Sequence, residues 1–245
     1  MAPLSLTLAT LFVLYVGIVR PILSRNRFQQ FRKVVADNPG LRPHYYVRGV
    51  REQWLWLLVI GIILVLGSIP LSMIGLRAPD DWGYTLWSIA QIVVLLVIAM
   101  VVTIRFIAKI QRPGIAALLL DIKELLPHTA QERRIWLLLS ATAGICEEIV
   151  FRGFLPIYFL MLSAYLGIHI SFTAALVLST ILFGFAHIYQ GWKGVIGTGL
   201  VGGVLAYLYL STGSLLLPIV LHILIDARIV FLAPTLLKLD DQEKS

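Results

Sequence analysis

Between residues 135 and 237 the chain carries six charged side chains: Glu147, Glu148, Arg152, Lys193, Asp226 and Arg228. Lys193 falls in a turn, and Arg228 can snorkel to an interface. Glu147, Glu148, Arg152 and Asp226 fall inside apolar stretches, and two histidines, His187 and His222, lie in the same region. A charged residue facing lipid at the centre of a helix costs about 2.5–3.5 kcal/mol. Four such groups therefore have to pair or line a polar cavity. Glu148 and Arg152 are four residues apart, so on a helix they share a face and can pair. Glu147 is turned about 100° from Glu148, which frees the two carboxylates to do different jobs. His222 and Asp226 repeat the four-residue spacing. Peptide hydrolysis needs this equipment: a base that activates water, and hydrogen-bond donors aimed at a developing oxyanion. The structural alternative is an ion pair that locks two helices, beside a neutral glutamate and buried histidines.

Other residues carry weaker signals. Cys146 adjoins Glu147, but a nucleophilic thiol needs a base and exposure, and a free cysteine is usually a small buried apolar group. His44, His128 and His169 fall in loops or at span ends. Gly199 and Gly203 form a GxxxG pair, which permits close helix contact within a membrane. A helix packed in this way can bring the neighbours bearing His187 and His222 together.

The elements that must position these residues follow from composition. Of 245 residues, 59% are hydrophobic and 13% charged. Soluble domains carry about 45–50% and about 25%, so a soluble fold is excluded. A single cysteine excludes an intramolecular disulfide and a multi-cysteine zinc site. Membrane spans need about 20 apolar residues. The runs Pro3–Val19, Trp54–Leu76 and Thr85–Ile104, and segments near 135–151, 154–168, 170–188, 194–210 and 214–233, predict an all-α, polytopic transmembrane bundle of about eight spans. No basic residue precedes the first run and no small-x-small cleavage site follows it, so it is expected to stay as a span.

The net charge of +7 is unevenly placed. Residues 20–53 hold eight basic residues against Asp37 and Glu52. Residues 105–134 hold six basic residues against Asp121, Glu124 and Glu132. These two loops flank one apolar hairpin, which is the positive-inside pattern of a membrane protein and not the footprint of a nucleic-acid binder. Both loops are expected to be cytoplasmic. The loop Arg77–Tyr84 and, with eight spans, the acidic C-terminal tail are expected on the other side. Segment 113–130 reads as an amphipathic surface helix. The chain divides into peripheral spans, 1–134, and a denser catalytic core, 135–245.

Glu147-Glu148-Ile149-Val150-Phe151-Arg152 resembles the EExxxR motif of the CPBP family of intramembrane proteases, which includes the CAAX prenyl endopeptidases and the bacterial Abi self-immunity proteins. Phe183-x-x-x-His187 resembles its FxxxH motif, and His222-x-x-x-Asp226 its Hxxx(N/D) motif. The resemblance covers roughly residues 130–230. It implies a helical fold with a cavity open to the bilayer and endopeptidase activity on membrane-associated proteins or peptides, with CAAX-type prenylated ones as a candidate substrate class. It further implies Glu147 as the base, Glu148 and Arg152 as the pair that fixes its helix, His187 as the residue that orients water or polarises the carbonyl, and His222 with Asp226 at the oxyanion. An ionised Asp226 cannot donate; it either holds a proton or orients His222. No cofactor is favoured. The alternative is zinc held by Glu147, His187 and His222 with an open position for water. Two other classes compete: a non-catalytic membrane scaffold or immunity protein, and a small transporter with a Glu/His/Asp proton relay. The clustering of polar groups without an internal repeat weighs against transport.

Overall fold

In a bilayer an apolar chain must satisfy its backbone within itself. In the computed structural model, which describes residues 3–110 and 120–244, with side chains over 4–105 and 123–237, every regular element is helical. α1 (Pro3–Leu14) passes through a π-helical turn, Tyr15–Val19, into α2 (Arg20–Val34). Then come α3 (Leu41–Gly67), α4 (Trp82–Ile110) and α5 (Ala130–Glu148). A second π-helical stretch, Ile149–Phe154, joins α5 to α6 (Leu155–Tyr165). α7 (Phe172–Ala186), α8 (Gly191–Thr212), α9 (Leu216–Ala227) and α10 (Ile229–Lys244) complete the chain. Among the described residues, five helices are long and apolar enough to cross a membrane: Leu4–Val34, Leu41–Gly67, Trp82–Arg105, Ile188–Thr212 and Leu216–Leu237. Phe172–Ala186 is apolar but shorter.

The expected break at Arg152/Gly153 is absent. α5, the π stretch and α6 form one helix, of 19, 6 and 11 residues in turn. At 1.5 Å per residue it is about 54 Å long, well beyond a 30 Å hydrocarbon core. Arg152 does not need a loop because it is buried and paired with Glu148. Pro156 does not end the helix either. A proline ring clashes with the carbonyl four residues back, and the wider π turn immediately before it relieves that clash. The same arrangement recurs where Tyr15–Val19 precedes Pro21. Two of the eight expected spans are thus one helix. Of the expected surface helix 113–130, residues 113–119 lie outside the described residues. The rest is a 3-10 turn, Leu120–Leu125, followed by the start of α5. That start is a capping box: the Thr129 hydroxyl accepts from the Glu132 N–H, and the Glu132 carboxylate accepts from the Thr129 N–H.

The bundle is registered by polar contacts along α3 and α5. Arg42 donates to the Glu124 carbonyl at 3.1 Å and lies 3.9 Å from Glu132. The Tyr46 hydroxyl donates to the Leu125 carbonyl at 2.7 Å. Further along, Gly49 faces Leu139, and Gln53 reaches Glu147. Contacts that advance together mean that α3 and α5 run parallel. α9 crosses α5 antiparallel. The Trp136 indole donates to the Asp226 carbonyl at 3.0 Å, and Gly144 lies against Ile219 and Ile223, where a Cβ would stand 2.9 Å from the Ile223 nitrogen. At the opposite end, Gly75 accepts from the Leu215 N–H at 3.0 Å, and Arg77 donates to the Gly213 carbonyl at 2.7 Å. Together these contacts bring the helix bearing the two glutamates between α3, α7, α8 and α9.

Candidate active site

Glu147 is the penultimate residue of α5 and is 5% exposed. Its Oε1 accepts from the Gln53 side-chain amide at 3.2 Å. Its Oε2 is buried, has no hydrogen-bond partner among the described residues, and stands 3.8 Å from Nε2 of His187. His187 caps the C-terminal end of α7. Its Nδ1 lies 2.9 Å from the Phe183 carbonyl. A carbonyl only accepts, so Nδ1 carries the proton. In the neutral ring Nε2 is then an acceptor. Two acceptors therefore face one another across a gap within reach of a single water.

Glu148 is fully buried and does something else. Its Oε1 accepts from Arg152 at 2.7 Å and from Nδ1 of His222 at 2.7 Å. Arg152 is also fully buried. It donates a second bond to the Gly202 carbonyl at 3.1 Å, and its guanidinium lies 4.2 Å above the Phe183 ring. The i,i+4 pair expected from the spacing is thus the centre of a network that ties α5, α7, α8 and α9 together. Gly202 is required there: a Cβ would come within 2.9 Å of both Arg152 and Phe183. His222 is 5% exposed. Its Nε2 lies 3.7 Å from Asp226, too far for a direct hydrogen bond. The Asp226 side chain is 37% exposed, at the edge of the cluster. Cys146 is buried at 0% exposure.

Among the described residues no group of three or more His, Cys, Asp and Glu is arranged to hold a metal ion. Of the zinc trio, Nδ1 of His187 is bonded to Phe183, Nδ1 of His222 to Glu148, and Oε1 of Glu147 to Gln53, an arrangement in which any metal would have to be met by the Nε2 atoms and Oε2.

Three residues near the site escape a motif-based reading. Gln53 closes the charged segment Arg48–Glu52 and directly precedes the apolar run from Trp54. Hydropathy puts it in a loop, yet it is 5% exposed. Phe183 is visible as a motif letter, but its work is structural. Its carbonyl orients His187, and its ring covers Arg152 and meets the edges of His187 and His222 at centroid distances of 4.8 and 5.9 Å. Arg20, read as a loop charge, donates to the Ala186 carbonyl at 3.1 Å and stacks 5.0 Å from Trp56. It thus stands next to His187. Only the pairing of tertiary neighbours brings Gln53 and Arg20 out.

A multi-pass helical membrane protein with adjacent buried glutamates, each facing a different histidine, is the class that fold and site define. Residues 130–228 match the family model described as type II CAAX prenyl endopeptidase Rce1-like. This is the CAAX protease family that the three motifs resemble, and it indicates a protease. Nothing among curated proteins and nothing among solved structures matches the chain.

Proposed function

We propose that the chain is an intramembrane endopeptidase in which Glu147 activates water. The observation that carries this reading is the pair of facing acceptors, Oε2 of Glu147 and Nε2 of His187, 3.8 Å apart. A water bridging them is polarised by both, and Glu147 takes its proton as the oxygen attacks the scissile carbonyl. The carbonyl oxygen becomes an oxyanion. When the intermediate collapses, the C–N bond breaks and Glu147 returns the proton to the leaving amine. His222 can stabilise the oxyanion only by donating from Nε2. Its Nδ1–H is already committed to Glu148, so donation from Nε2 requires the imidazolium, which Glu148 and Asp226 flank. The charges then balance: Glu147, Glu148 and Asp226 against Arg20, Arg152 and His222. The mechanism needs neither metal nor thiol.

Gln53 lies midway along α3, and His187 ends α7 on the side of the basic helix α2, whose Arg20 bonds to the Ala186 carbonyl. Water and peptide then enter from that side, which the positive-inside rule makes cytoplasmic. The family supports a membrane-associated protein or peptide as substrate, with a prenylated CAAX tail as the first to test.

The test is cleavage of a quenched fluorogenic farnesylated CAAX-type peptide by the protein in lipid vesicles. Cleavage is expected to resist chelators and thiol reagents. Loss of activity with chelator and its return with zinc would instead establish the zinc-dependent version. No cleavage at all would leave the non-catalytic scaffold.

A further inference from the structure

Resting on the assignment of Glu147 as the base, we infer that Gln53 of α3 is a positioning residue that selects which oxygen of Glu147 reacts. The two oxygens of a free carboxylate are equivalent. Here Gln53 Nε2 donates to Oε1 at 3.2 Å, which fixes the carboxylate plane and leaves Oε2 turned toward Nε2 of His187. The orientation of the amide is dictated by chemistry, because a carboxylate accepts and only the –NH2 end of glutamine donates. The consequence is that Gln53 Oε1 is buried without a partner in the protein.

The place of the bond, on the reacting carboxylate, separates a positioning role from a packing role. A glutamine kept to hold α3 against α5 would be expected to satisfy both ends, and a methionine would fill the same space with no polar atom to bury. The register of α3 on α5 is already held elsewhere, by Arg42, Tyr46 and Gly49. Gln53 adds one hydrogen bond to that register and leaves one acceptor unsatisfied. The cost is intelligible if the bond serves the geometry of Glu147. Local polar groups that do not favour stability are a mark of functional sites.

The experiment compares wild type, Gln53→Met, Gln53→Leu and Glu147→Gln in vesicles with the farnesylated fluorogenic peptide, reading kcat, KM and the thermal unfolding midpoint. Gln53→Met should lower kcat by about 10- to 100-fold, as expected when a reacting group loses its orientation. KM should stay within about twofold, because the bound peptide is held elsewhere, and the midpoint should be unchanged or higher. Gln53→Leu should behave alike. An unchanged kcat would overturn the inference. So would a fall in kcat matched by a lower midpoint, or failure of both variants to fold, since each marks a structural role. Glu147→Gln separates the two levels of the account. If it keeps the wild-type rate, the base assignment fails. If it is inactive while Gln53→Met is fully active, only the positioning role fails.

Discussion

Glu147 and Glu148 share a peptide bond and nothing else. One carboxylate accepts from Gln53 and faces an imidazole acceptor; the other is tied at a single oxygen to Arg152 and His222. Removing one partner of a buried ion pair leaves an uncompensated charge and costs about 3–5 kcal/mol. Arg152→Ala should therefore lower the thermal midpoint sharply and reduce the amount of folded protein in the membrane; an unchanged midpoint in detergent would show that the pair is not structural. Cys146 adjoins the base but is completely buried. Cys146→Ala should keep the wild-type cleavage rate, and maleimide added to the wild type should leave it active. The Glu148–Arg152 contact was legible from spacing alone, because four residues on a helix bring two long side chains together. The hydrogen bond from Glu148 to His222 was not, since 74 positions separate them and nothing in either local segment names the other.

Among the elements, the helices close on one another through glycines. Gly144 lets α9 approach α5, and Gly202 lets α8 approach Arg152 and Phe183. Gly202→Ala would force a methyl within 2.9 Å of both. Overpacking of this kind costs about 1–3 kcal/mol, so this variant should unfold at lower temperature and lose activity in step with stability. Equal midpoints for variant and wild type would contradict the close approach. Helical content and most helix positions were readable from apolar run length. The division at Arg152/Gly153 was misread because hydropathy counts an arginine as water-seeking even when a carboxylate, a carbonyl and an aromatic ring surround it. The π turn that accommodates Pro156 leaves no mark in composition. Gln53 was missed for the opposite reason, since its charged neighbours Arg48, Arg51 and Glu52 disguise a buried position as loop.

For the molecule as a whole, joining α5 to α6 changes the path of the chain. The parallel run of α3 and α5 requires α4 to return between them, and residues 42–46 meet residues 124–132 at one end of the bundle. The antiparallel crossing of α9 returns the chain to that same end, where Trp136 meets Asp226. Cysteines introduced singly at Asp37 and Asp81, both exposed, in a Cys146→Ser background should react with an impermeant reagent from opposite faces of sealed vesicles. Labelling from one face would contradict the arrangement. The first half of the chain is also more than a peripheral support, since Gln53 and Arg20 reach the glutamate and histidine of the second half.

The central claim is that adjacent glutamates divide chemistry from architecture. Its most direct test is the cleavage rate of Glu147→Gln, measured in vesicles on the farnesylated peptide beside its thermal midpoint. This substitution keeps shape and hydrogen bonding but removes the proton acceptor. The rate should fall by about 10²–10⁴-fold, as when a general base is lost, while the midpoint stays at the wild-type value. A Glu147→Gln protein that folds normally and cleaves at the wild-type rate would contradict the account.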